Sequence, residues 1–265
     1  MIEQGLAFEN YLARDAVSKT QLWTLHTRSP AHARVEKEQS NAMAMGVAVH
    51  CAVLEPDCFR ERFVRGPDDR RGNKWKEAIE EHGARLLTAG DYDDALAIRD
   101  ALMHEPVIRQ ITGAAETLRE ASAFASCPET GLAVRCRPDA WQMQLGLMAD
   151  LKTTTDARPE QFARRVEQFG YHAQEAHYTD TWTAAGGGDI SAFVFIAVET
   201  KPPYAYALYE LEPSAVVEGR LRLQQAKATW AECARTGVWP GYAREIQPLD
   251  LRKWAYRLTT PEENL

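Results

Sequence analysis

The stretch RPDAWQMQLGLMADLKTTT, residues 137–155, decides how this chain is read. Asp139 follows a proline, and Asp150 stands two positions ahead of Lys152. Short runs of β-branched and aromatic residues bounded by Gly and Pro predict strands over 132–142 and 146–153, closed into a hairpin by a Gln144–Gly146 turn. Residues two apart on a strand project from one face, so Asp150 and Lys152 share theirs. The hairpin carries Asp139 to the same end. Two carboxylates so placed raise each other's pKa, a cost that a bound divalent cation removes. Carboxylate oxygens favour a hard ion, Mg²⁺ or Mn²⁺, over zinc. The Lys152 amine is then placed to orient or deprotonate a water.

Working outward, residues 1–115 read as mainly helical. Ser18 caps KTQLWTLHT and Pro30 interrupts the pattern that follows. NAMAMGVAVHCAVLEP is a second helix, begun by a capping Asn41, stopped at Pro56 and apolar around most of its circumference, which implies burial. Gly46 in this helix permits close packing or is a tolerated cost of about 1 kcal/mol. Helices follow at 73–82 and 91–103, the latter from DYDDALAIRDALM, whose acidic first turn suits the positive end of the helix dipole. After Glu116 the character changes to strands, beginning at 118–125. One long helix is expected from Pro159 to Ala185, ended by GGGD. SAFVFIAVET and YAYALYELE then form two strands joined across a Lys201–Pro203 turn, and a last helix ends at Gly237. This order predicts an α/β (α+β) domain spanning 1–265, a central mixed β-sheet flanked by helices, with the sheet and its helices in 116–265.

The chain has 265 residues, 45% hydrophobic and 26% charged, which are globular values. No segment has the apolar length needed to cross a bilayer, and MIEQGLAFENYLARD lacks a basic start followed by an apolar stretch, so a cytoplasmic protein is expected. Five scattered cysteines without a CxxC pair argue for reduced, mostly buried thiols rather than a cysteine-held metal. The net charge of -7 speaks against a polyanion partner. Residues 60–76, RERFVRGPDDRRGNKWK, oppose that trend with seven basic and three acidic side chains. This window reads as a loop, either a solvated charge run or a phosphate-contacting patch. In the second reading Arg70, Arg71, Lys74 and Lys76 touch DNA phosphates and Trp75 stacks on a base.

An Asp-x-Lys triplet alone is also what an exposed ion pair looks like. Three further features accompany it. Gln174 and Tyr178 lie at i and i+4 of YHAQEAHYTD and share a helix face. His50 closes the apolar helix, as a satisfied core imidazole or as a ligand. Glu120, in LREASAF on the strand before the hairpin, is a surface acid or a buried one that holds a cation.

In that order the residues form the PD-(D/E)xK pattern: Pro138-Asp139, then Asp150-Leu151-Lys152, with Gln174 and Tyr178 behind. The sequence resembles the RecE-like (exonuclease VIII) branch of the RecB-like PD-(D/E)xK nucleases. The resemblance runs through SPAHA, AMGVAVHCAVLEPDCF, GLAVRCRPDAW, ADLKTT, YHAQEAHYTD and VETKPPYAYALYEL, most of the chain. It implies a restriction-endonuclease-like core with metal held by His50, Asp139, Asp150 and the Leu151 carbonyl. It places catalysis on Asp139, Asp150, Lys152, Gln174 and Tyr178, with Glu120 a further match. The implied activity is Mg²⁺-dependent exodeoxyribonuclease action on duplex DNA ends, 5′ to 3′, by a ring-forming homo-oligomer beside a single-strand annealing protein of prophage recombination. An endonuclease or single-strand-specific nuclease on this fold shares the same metal site. A DNA-binding protein without activity, or a metal-free helical interaction protein, are the readings from other classes.

Overall fold

The computed structural model describes residues 1–35 and 41–251. Its centre is a five-stranded sheet ordered Tyr206–Tyr209, Ala192–Glu199, Leu147–Thr154, Ala140–Gln142 and Thr117–Arg119. The pair Leu147–Thr154 and Ala192–Glu199 is parallel and the other neighbours are antiparallel, so the sheet is mixed. The expected hairpin forms, with Ala140 opposite Ala149 and Gln142 opposite Leu147 around the turn Met143–Leu145 and a left-handed Gly146.

Two expected strands are each divided. Residues 118–125 split into Thr117–Arg119 and Ser122–Ser126, and 132–142 into Ala133–Cys136 and Ala140–Gln142. The outer halves leave the central sheet and build a second, four-stranded one with Ile2–Glu3 and Val17–Ser18. Glu120 is therefore not on a strand but at the first crossing, with φ of 51°. Arg137, Pro138 and Asp139 form the second crossing. The proline cannot donate to a ladder, and it stands where the ladder ends.

The alternation of the central strands places aliphatic side chains on one face and aromatic ones on the other. Ala149, Leu151, Ile196 and Val198 pack with the buried residues of helices Asn41–Leu54 and Ala89–His104. Met148, Trp141, Phe193 and Phe195 pack with Phe162, Val166 and Trp182 of the helices beyond. Gly46 lies beside Thr153 with room for a methyl, so close approach does not require it.

The long helix expected over 159–185 is two helices, Pro159–Phe169 and Tyr171–Ala184. Gly170 between them has φ of 65°, and a Cβ there would lie 2.4 Å from Cε2 of Trp23. Only glycine combines that backbone with that contact. Tyr171–Ala184 is pinned from behind by the last helix, Pro213–Thr236, whose Gly219 would bring a Cβ to 2.5 Å from the His172 carbonyl oxygen.

In the N-terminal portion, Ser18 and Gln21 form a reciprocal capping box on Lys19–Thr27. Helix Asn73–His82 has the expected bounds, and the next runs over Ala89–His104 with Thr88 as its cap. The expected Asn41 cap lies outside the described side chains. Residues 60–76 are not simply a loop: they hold the end of helix Phe59–Arg62, strand Val64–Arg65 and the start of helix Asn73–His82. All five cysteines are free thiols and only Cys58 is not buried. No helix among the described residues is long and apolar enough to cross a membrane.

Candidate active site

The site lies where the two sheets part. The hairpin ladder stops at Ala140 and Ala149, leaving the next backbone donor, the Leu151 N–H, free of a strand partner on that side. It donates instead to Asp139 Oδ2 at 2.6 Å, and the Glu120 N–H donates to the Asp139 carbonyl at 3.2 Å. Splaying of the strands thus fixes Asp139 by backbone bonds. His50 reaches the same place from the opposite element, with Nε2 2.8 Å from the Leu151 carbonyl oxygen and Nδ1 3.4 Å from Asp139 Oδ1.

His50, Glu120 and Asp139 each offer one ligand atom, all within 4.8 Å of one another. One imidazole nitrogen and two carboxylate oxygens form a donor set that fits a hard divalent cation. Burial works against the His50 charge, yet the Asp139 charge and its hydrogen bond, with Glu120 adding, raise the imidazole to about 9. Burial and the neighbouring Asp139 push Glu120 up to about 7, against the pull of His50 and Arg137. Burial raises Asp139 too, but His50, Lys152 and the Leu151 N–H outweigh it and hold the carboxyl below its ordinary range. The Asp139 carboxylate thus favours the protonated form of His50 beside it.

Asp150 is 2% exposed and faces the other way. One oxygen accepts from Gln174 Nε2 and the other is ion-paired with Lys152. The sequence reading places Asp150 and the Leu151 carbonyl among the ligands. Here Asp150 contacts Gln174 and Lys152, the Leu151 carbonyl faces His50, and Glu120 stands with the converging donors. Burial lifts the Asp150 carboxyl above its ordinary range, with Lys152 pulling the other way. Burial works against the Lys152 ammonium, but Asp150 holds it in the charged form. Gln174 and Tyr178 sit one turn apart on Tyr171–Ala184; Tyr178 is packed in the aromatic cluster and burial drives its hydroxyl well above the usual range.

Over residues 25–251 the chain matches the family described as a PDDEXK-like domain of unknown function (DUF3799). The chain belongs to this family. That places it in the PD-(D/E)xK nuclease superfamily, in agreement with the sheet, the two acids and the lysine. Among solved structures, a presumptive exonuclease from Eubacterium rectale is 14% identical with a TM-score of 0.58, covering 94% of this chain and 97% of that one. That likeness shows a shared fold. A phage-related exonuclease from Haemophilus somnus 129PT is 11% identical with a TM-score of 0.35, covering 87% of this chain and all of that one, 100%. No curated protein matches the chain.

Two residues of this PDDEXK-like domain escaped the sequence reading. Arg137, beside the motif proline, donates from Nε to Glu120 Oε2 at 2.8 Å and from Nη1 to the Leu6 carbonyl at 3.0 Å. Its place directly before Pro138-Asp139 is the signal that could have found it. Tyr171 presents its ring to Lys152 Nζ, 4.8 Å from the centroid, and nothing in the sequence marks it. The basic window is largely paired within the protein. Arg62 bonds Glu55, Arg65 bonds Asp93, Arg70 bonds Asp91 at 2.8 Å and Arg71 lies 3.4 Å from Asp69. The Arg70 guanidinium also covers the Trp75 ring at 5.5 Å. Asp91 and Asp93, assigned above to the helix dipole, thus neutralise arginines as well. Lys74 and Lys76 are exposed.

Proposed function

We propose that this chain is a divalent-cation-dependent nuclease, and within that class a RecE-like exodeoxyribonuclease. In this reading it hydrolyses linear duplex DNA from the 5′ end and leaves a 3′ overhang. The observation that carries the reading is the meeting, at one sheet end, of the donor set His50, Glu120 and Asp139 with the buried Asp150, Lys152 and Gln174. Mg²⁺, with Mn²⁺ as substitute, is held by His50, Glu120 and Asp139, with Asp150 and the Leu151 carbonyl at its border. When bound, the ion supplies positive charge against the phosphate and the charge developing on the leaving oxygen.

The remaining work falls to the chain itself. Lys152 holds a proton at Nζ beside Asp150 and orients the attacking water. Gln174 fixes the Asp150 carboxylate through its amide, so that the lysine has one partner geometry. Tyr178 and Gln174 border the path of the scissile strand. Exposed Lys74 and Lys76, with Arg70, Arg71 and Trp75 near them in sequence, form the patch for phosphate and base contact. The substrate is a DNA end, and the biological setting is phage-type recombination in the cytoplasm, as a ring-shaped homo-oligomer with a single-strand annealing partner.

The test is incubation of purified protein with linear duplex labelled at either end, and with a covalently closed circle, with and without Mg²⁺. Early release of the 5′ label, dependent on Mg²⁺ and absent from the circle, is the expected result. Cutting of the circle makes the protein an endonuclease, and digestion of single strands alone makes it a single-strand nuclease. Binding without cleavage under all conditions defeats the nuclease reading.

A further inference from the structure

We propose that the ring of Tyr171 is a positioning element for Lys152, holding its ammonium over the aromatic face and against the Asp150 carboxylate. The proposal deepens the nuclease reading above and rests on it for the role of Lys152. A lysine ammonium at the end of four rotatable carbons is not located by one ion pair, because the pair leaves the stem free to swing about it. A second contact from another direction removes that freedom. Nζ of Lys152 lies 4.8 Å from the centroid of the Tyr171 ring, well inside the separation of about 6 Å at which a cation is attracted to a ring face. Both groups are partly buried, with the lysine side chain 16% exposed, and the attraction is stronger there than at an open surface.

The ring is itself immobilised. It stacks on Phe195 at 5.7 Å and 23°, and is flanked by Phe162 and Phe169, each at 5.9 Å. Phe195 is the register partner of Asp150 in the parallel pair of strands, so the platform is built on the residue beside the acid. The helix break at Gly170 makes Tyr171 the first residue of its helix, and the packing of Gly170 on Trp23 sets where that residue falls. Lys19 fastens the preceding turn by donating from Nζ to the Phe169 carbonyl at 2.5 Å. Three segments distant in sequence therefore hold one ring in place, with the Lys152 ammonium at 4.8 Å and that of Lys19 farther off at 5.9 Å from its centroid. It is the ring face that meets Lys152, so phenylalanine preserves the contact and an aliphatic residue abolishes it.

The experiment replaces Tyr171 by Phe, 3,5-difluoro-Phe and 3,4,5-trifluoro-Phe, a series that keeps the ring shape while draining negative charge from its face. A Leu variant is added, and kcat, KM and Tm are measured with Mg²⁺ and linear duplex. The expected result is rescue by Phe and a stepwise fall of kcat, about tenfold from Phe to the trifluoro ring, with KM and Tm unchanged. A flat kcat across the fluorinated series overturns the proposal, whatever the Leu variant does to folding. The second readout is independent of activity: the ε-methylene proton resonances of Lys152 in the metal-free protein. They are expected upfield by ring current in wild type and in Tyr171→Phe, and at their ordinary position in Tyr171→Leu. If wild type cleaves no DNA, the nuclease reading fails separately, and absence of the upfield shift in wild type then overturns this inference too.

Discussion

Asp139, at the crossing just before strand Ala140–Gln142, and Asp150, on its partner strand Leu147–Thr154, sit in opposite surroundings. Asp139 is tied by the Leu151 N–H on one oxygen and faces His50 with the other, and its ligand atom converges with those of His50 and Glu120. Asp150 accepts from Gln174 on one oxygen, and its other oxygen is ion-paired with Lys152 without a hydrogen-bond partner among the described residues. The His50 charge draws one carboxyl down, while burial keeps the other up. One cluster is open to a cation and the other is closed on an ammonium. Two like charges this close are tolerable because each is answered by a different positive partner. In the proposed function, the first cluster holds the ion and the second orients the water.

Substitution at the two clusters gives the largest contrast. Lys152→Ala and Asp139→Ala are each expected to lower cleavage by about 10³-fold or more. Lys152→Ala should keep the rise in Tm on adding Mn²⁺, whereas Asp139→Ala should lose it. Equal loss of that rise in both proteins would merge the clusters into one. Next in size, Gly170→Ala forces a Cβ into Trp23 at a left-handed residue and should cost about 3 kcal/mol in a urea titration. That loss should come without change in the cation's dissociation constant, because the second cluster alone depends on the helix that starts there. Arg137→Met frees Glu120 from its only hydrogen-bonded side-chain partner among the described residues. Cation affinity, read by calorimetry, should weaken about tenfold. Unchanged affinity would remove Glu120 from the ion-holding group.

The remaining contrast is the pH dependence of the first cluster. His50 is raised from 6.5 to about 9, so its contribution to metal-free stability is complete below about pH 6.5 and is lost as pH climbs through 9. Glu120 is raised from 4.5 to about 7, so the fold favours its protonated form and loses that advantage between pH 4.5 and 7. Tm of the metal-free protein should therefore decline from pH 5 to 9. The Mn²⁺-induced rise should grow over the same span, because both ligands must release protons to bind. A rise independent of pH would place the ion elsewhere.

The hairpin, the cap at Ser18 and the helix Asn73–His82 were legible because each depends on neighbours in sequence: a turn glycine, a cap, a period. Asp139, Asp150 and Lys152 were legible for the same reason, since strand alternation and one short turn bring them together. The division of two strands at Glu120 and at Arg137–Asp139 was not, because only the partner strand shows where each ladder ends. The broken helix at Gly170 was missed because a single glycine inside a helical pattern is often tolerated, and the Trp23 ring that requires it lies far away in sequence.

The amino-acid sequence by itself determined which side chains are available and which of them share a strand or helix face, since those relations follow from local backbone geometry. Which acid meets the cation donors and which the ammonium was decided only in three dimensions. There, two strands part at Ala149, and His50, Glu120, Gln174 and Tyr171 arrive from separate elements to divide the charges between them.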